Sequence, residues 1–90
     1  MEISKMLTIS TAHITKETAE WLDEKDILIV YKKSDYGWFI LVSDWDDVVE
    51  TEKIPEDLRK ILRFADDLDC RWLCLDCDGD ILSYLDVYNW

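Results

Sequence analysis

The sequence predicts a small α+β domain: an antiparallel sheet of about five strands carrying two helices, in the order β-α-β-β-α-β-β. Three observations predict it. Two stretches, Ile14 to Leu22 and Leu58 to Leu68, hold apolar residues at helical spacing. Short runs rich in β-branched and aromatic residues lie around them. Two breaks between such runs, Ser34-Asp35-Tyr36-Gly37 and Asp78-Gly79, have hairpin composition. Ninety residues make one domain, 1–90, with no room for a second core.

Met6–Ser10 is the first expected strand, and Thr11–Ile14 a turn. Thr15 is placed to cap a helix over Lys16–Lys25, whose face is Ile14, Thr18, Trp21 and Leu22. Glu17 and Glu20 stand early in that helix and Lys25 last, which suits its dipole. Ile27–Lys33 and Trp38–Ser43 are β-prone and form a hairpin. Residues 44–52 form an acidic loop. Pro55 suits the first position of a second helix, followed by Glu56 and Asp57 at its positive end. Leu58, Ile61, Leu62, Ala65 and Leu68 give that helix a continuous apolar stripe. Arg71–Cys77 and Asp80–Tyr88 are the last two strands. A two-residue Asp78-Gly79 turn sets Leu75 opposite Leu82, Leu73 opposite Tyr84 and Trp72 opposite Leu85.

Half of the chain is hydrophobic, with five Trp, four Tyr and two Phe, so it should fold despite its charge. The formal net charge is −11. Residues 1–43 carry 7 acids and 5 bases; residues 44–90 carry 14 acids and 5 bases. Such a surface repels nucleic acid and anionic membrane, and a basic protein is its natural complement. No basic start or long apolar run marks a signal peptide, and the longest apolar runs are too short to span a bilayer. Three cysteines imply no disulfide framework, and a reducing cytoplasm fits them.

Cys70, Cys74 and Cys77 invite a metal reading, with His13 as a fourth ligand. Side chains alternate along a strand, so Cys74 and Cys77 would face opposite ways. Asp76, Asp78 and Asp80 alternate like the start of a calcium loop, but Gly79 falls at its fourth position instead of its sixth. No metal or other cofactor is expected, and the cysteines are expected to be small core groups. His13, the one histidine, is expected to be a hydrogen-bonded structural residue. No nucleophile elbow, second histidine or glycine-rich phosphate loop accompanies it, so no enzyme is expected.

Trp21, Tyr31, Trp38 and Trp72 are expected in the core or on a sheet face. Trp45 stands among acids; it either anchors an interface or folds back onto the domain. Trp90 is expected to be exposed. The candidate partner-binding residues are Asp44, Trp45, Asp46, Asp47, Glu50 and Glu52 in the loop. Asp66, Asp67 and Asp69 join them at the second helix end, and Asp76, Asp78 and Asp80 at the turn. Asp66 and Asp67 oppose the helix dipole, which raises the question of a use for their charge.

The run Ile9-Ser10-Thr11-Ala12-His13-Ile14-Thr15, continuing to Trp21-Leu22, and the segment Tyr36-Gly37-Trp38-Phe39-Ile40 resemble a family of short uncharacterised bacterial proteins. The resemblance implies a mobile-element setting of plasmids, prophages and integrative elements. In that setting, small acidic proteins include anti-CRISPR and antirestriction inhibitors that imitate DNA. The first functional expectation is therefore a protein-binding inhibitor that occupies the basic nucleic-acid site of a host defence nuclease complex. The alternative is a non-enzymatic accessory or homodimeric interaction module whose acidity serves solubility.

Overall fold

The computed structural model describes residues 1, 3–24, 27–42, 45 and 51–90. Its strands are β1 (Met6–Ser10), β2 (Val30–Lys33), β3 (Gly37–Leu41) and β4 (Trp72–Asp76). Helix α1 (Lys16–Glu24) joins β1 to β2, and helix α2 (Glu56–Asp67) lies between β3 and β4. Short 3₁₀ turns occupy Thr11–His13 and Thr51–Lys53.

The fold is α+β with two helices, as expected, but the sheet is mixed and has four strands, in the order β1-β4-β3-β2. β4 runs antiparallel to β3 and parallel to β1. That arrangement removes the expected fifth strand. β4 lies between two neighbours, so its hydrogen-bonding edges are both taken. Leu73 pairs with Leu7 on one side and Ile40 on the other, and Leu75 with Ile9 and Trp38. Leu82, Tyr84 and Leu85 therefore find no free edge on β4.

The chain after Gly79 instead passes outside β1, where the Ser10 amide donates to the Asp80 carbonyl at 2.9 Å. The Asp78-Gly79 break is a side-chain-stabilised turn: Asp76 Oδ1 accepts the Asp78 amide at 2.8 Å, and the Gly79 amide reaches the Asp76 carbonyl at 2.9 Å. Gly79 is needed for contact rather than for hairpin geometry, since a Cβ there would lie 2.5 Å from the Ile9 carbonyl group.

Local signals explain the other elements. Thr15 caps α1, its Oγ1 accepting the Thr18 amide at 3.2 Å. Ile14, Thr18, Ala19 and Leu22 are buried on that helix face, and Trp21 is half-buried. Lys25 lies outside the described residues. Along α2, Leu58, Ile61, Leu62 and Ala65 are buried, but Leu68 lies past the helix and is 42% exposed. The reason is the helix stop. Asp69 takes a left-handed conformation (φ 59°), its amide bonds to Asp66, and the Cys70 amide bonds to Ala65 at 2.9 Å.

β2 and β3 are joined through Ser34-Asp35-Tyr36, with Lys33 paired to Gly37, so the expected hairpin forms. β2 is shorter than expected, and Ile27 and Leu28 pack against the core ahead of it. Both helices cover one face of the sheet. The strand residues in the core, Ile9, Trp38, Ile40, Leu73 and Leu75, alternate with residues of the opposite face.

Candidate functional site

The two parallel strands end together, and most of the chain's unusual chemistry gathers at that end. Ser10, Asp76, Gly37 and Lys33 form one row across the four strands. Lys33 Nζ forms an ion pair with Asp76 Oδ2 and lies over the Phe39 ring. Lys33 holds the Asp76 carboxyl below the usual carboxylate range, and the Asp78 amide lowers it further. Asp76 in turn raises Lys33 above the ordinary lysine value. A shallow depression of about 330 Å³ lies over this pair, lined by Thr8, Tyr36, Asp78 and Gly79 as well. Gly37 belongs to the same construction: a Cβ there would lie 1.6 Å from the Leu75 carbonyl oxygen.

Asp76, Cys77 and Asp78 bring one potential ligand atom each to within 4.8 Å of one another. Both Asp76 oxygens are already engaged, one by Lys33 and one by the Asp78 amide. The trio is thus organised around an ion pair and a turn. Cys70 and Cys74 are buried, as core groups should be, whereas Cys77 is exposed because it follows the end of β4.

His13 is 2% exposed and holds the C-terminal segment. The Leu82 amide donates to Nε2 at 2.9 Å, so Nε2 carries no proton. Nδ1 then carries it and donates to the Asp86 carbonyl at 2.8 Å. The Tyr88 amide donates to the Ala12 carbonyl, and the Trp90 indole to the Ile14 carbonyl, each at 2.8 Å. Residues 81–90 therefore form an irregular strap fastened to the turn after β1. Sequence pattern misses this because a strap held by backbone groups needs no periodicity. Trp90 is 57% exposed even so.

Among the described residues, the sequence-predicted acids stand in separate groups along the chain's elements. Asp44, Asp46, Asp47 and Glu50 lie outside the described residues. Glu52 is exposed within the Thr51–Lys53 3₁₀ turn. Asp66, Asp67 and Asp69 are exposed at the end of α2, ahead of β4; Asp78 and Asp80 are exposed beyond the other end of β4. The strand between the groups is about 13 Å long at ~3.3 Å per residue. That length exceeds the Debye length in physiological salt, about 8 Å. Asp76 differs from its neighbours in being half-buried and paired with Lys33.

Trp45 folds back onto the domain, the second of its two expected placements. It is 4% exposed and belongs to the core cluster, with the Arg63 guanidinium 5.9 Å from its ring centre.

The sheet face away from the helices is the other feature that pattern alone does not reveal. Met6 and Tyr31 are exposed there, and Phe39, Leu41 and Trp72 half-buried. Tyr31 and Trp72 reach across β3 to within 6.0 Å of each other.

A family model described as the C-terminal domain of a family of unknown function (DUF5983) matches residues 6–90. The chain belongs to the DUF5983 family. Within this DUF5983 domain the match begins at the first residue of β1 and runs through the strap to Trp90. No curated protein and no solved structure matches the chain. No helix among the described residues is long and apolar enough to cross a membrane.

Proposed function

We propose that this domain works by binding a protein rather than by catalysis, and that it takes a basic partner. The observation that carries the proposal is a set of exposed carboxylates, Asp66, Asp67, Asp69, Asp78 and Asp80. None of them is ion-paired among the described residues, in a chain of net charge −11. In its most specific form the partner is a nucleic-acid-handling host protein. The domain would then be a mobile-element inhibitor of a defence nuclease complex, of anti-CRISPR or antirestriction type, acting in the cytoplasm. Among the described residues the acids at the two ends of β4 are separated, which favours contact at two basic patches over imitation of one continuous phosphate track.

Affinity capture from host lysate tests this. The expected result is recovery of a nucleic-acid-binding protein, with capture falling steeply as salt rises. Charge reversal at Asp66, Asp67, Asp78 and Asp80 should abolish capture while the far-UV circular dichroism stays unchanged. Asp76 is left intact because its ion pair supports the fold. Capture that survives these reversals would defeat the proposal.

A second reading, an accessory or homodimeric module, is favoured by Met6, Tyr31 and Trp72 on the helix-free sheet face. It expects a molecular mass that doubles with concentration, and loss of that doubling in Tyr31→Lys. A mass of one chain at all concentrations excludes the homodimer.

A further inference from the structure

We infer that the outward face of α2 carries a binding site for a small molecule's oxyanion group, a carboxylate or phosphate, built from Arg59, Lys60 and Arg63. Arg59 and Arg63 stand one helical turn apart, and with Lys60 and Glu56 they line a depression of about 240 Å³. This concentration of cations is unexpected in a chain with 21 acids and 10 bases. Every cation has acids to spare, yet neither arginine is paired with a carboxylate among the described residues. Lys60 reaches Asp86 only at 3.8 Å, with both side chains mostly exposed.

A second observation points the same way. Arg59 Nε and Trp45 Nε1 are buried nitrogens with no hydrogen-bond partner among the described residues. A buried donor without an acceptor costs free energy, and folded proteins rarely leave one so. The Arg63 guanidinium lies 5.9 Å from the Trp45 ring centre, which puts Trp45 in the same patch as the arginines. Among the described residues, the patch therefore has donors without acceptors, more positive than negative charge, and a cavity. An oxyanion supplies what is missing, since its lone pairs fit the planar guanidinium fork. Glu56 at the rim and the molecule's net charge of −11 oppose a polyanion. A single oxyanion on a small body fits both the charge and the volume.

The test is a titration of the ¹⁵N-labelled chain, following the Arg Nε–H and Trp Nε1–H resonances. Inorganic phosphate and succinate are added separately, at ionic strength held constant with chloride. Saturable movement of the Arg59 and Trp45 signals is expected. Binding should weaken about tenfold in Arg63→Gln and in Lys60→Gln, as each variant loses a charge-assisted contact. Lys16→Gln, on α1, should bind as the unaltered chain does. Response to phosphate alone assigns a phosphate group, and response to both assigns oxyanions in general. No saturable movement, the same movement with chloride, or equal affinity in Arg63→Gln and Lys60→Gln overturns the site. So does a shift of the Arg59 signal in ligand-free Asp44→Asn/Asp46→Asn/Asp47→Asn, which would make the chain's own carboxylates the acceptors.

Discussion

Asp69 carries a backbone conformation that its side chain does not favour. Its left-handed φ of 59° ends α2, and glycine is the residue that adopts such an angle without cost. Asp69→Gly should raise stability by about 1 kcal/mol, measured by urea unfolding, because the left-handed state costs an L-residue about 1–2 kcal/mol.

A second single-residue effect is electrostatic. Lys33 first, then the Asp78 amide, hold the Asp76 carboxyl below its ordinary range. The unfolded chain therefore takes up this proton at higher pH than the folded one. The stabilisation is whole above the unfolded value of about 3.9 and is lost as pH falls through the lower, folded value. Asp23 behaves alike, its carboxyl lowered by the Trp38 indole N–H and then by Lys32. On the basic side, Lys33 is raised, so its share persists below about pH 10.4 and is lost as pH rises through the folded value. Asp76→Asn should be less stable than the unaltered chain at neutral pH. The gap should close as the pH drops below the ordinary aspartate value; a gap constant across that range would contradict the ion pair.

At the scale of elements, one carboxylate joins the two helix starts. Asp57, in the first turn of α2, accepts the Thr15 amide at 2.8 Å and the Thr18 hydroxyl at 2.7 Å. Thr18 is buried, so its hydroxyl has no water to turn to. Asp57→Ala should cost about 1–3 kcal/mol by urea unfolding, the penalty for a stranded buried donor. Adding Thr18→Val should recover part of that loss, because it removes the donor.

The junction of β1 with the strap depends on close backbone approach. Gly79→Ala puts a Cβ 2.5 Å from the Ile9 carbonyl group and forces main chain apart. A loss of about 1–3 kcal/mol is expected, as for other overpacked sites. Faster hydrogen exchange at the Ser10 and Leu82 amides should accompany it, because both amides hold the strap.

For the whole molecule, net charge governs behaviour. A net charge of −11 on 90 residues repels itself, and Asp66, Asp67, Asp69, Asp78 and Asp80 make no ion pair among the described residues. Added sodium chloride should therefore raise the melting temperature, most steeply up to roughly 0.5 M, where the Debye length has fallen to a few ångström. A melting temperature indifferent to salt would mean that the carboxylates are compensated. Charge also separates the molecule's surfaces by chemistry: acidic ends, a cationic face on α2 and an aromatic sheet face.

The sequence by itself determined both helices and the central hairpin, while the bonds of His13 to Leu82 and Asp86 came only with the tertiary structure. The helices and hairpin rest on signals a few residues apart: the Thr15 cap, the 3.6-residue apolar spacing, the loop between Lys33 and Gly37. The Leu58 to Ala65 stripe was legible for the same reason. Tertiary structure alone decided the place of β4. Arg71–Cys77 pairs as well with a downstream hairpin partner as with β1 and β3, and local pattern cannot choose between them. Once β1 and β3 hold both edges of β4, Asp80–Tyr88 can only cross β1 and fasten to main-chain groups. The same choice set Asp66–Asp69 and Asp76–Asp80 at opposite ends of one strand, and it paired Asp76 with Lys33, 43 residues away. Trp45 went to the core because a large aromatic gains more by leaving water than its acidic sequence neighbours can oppose.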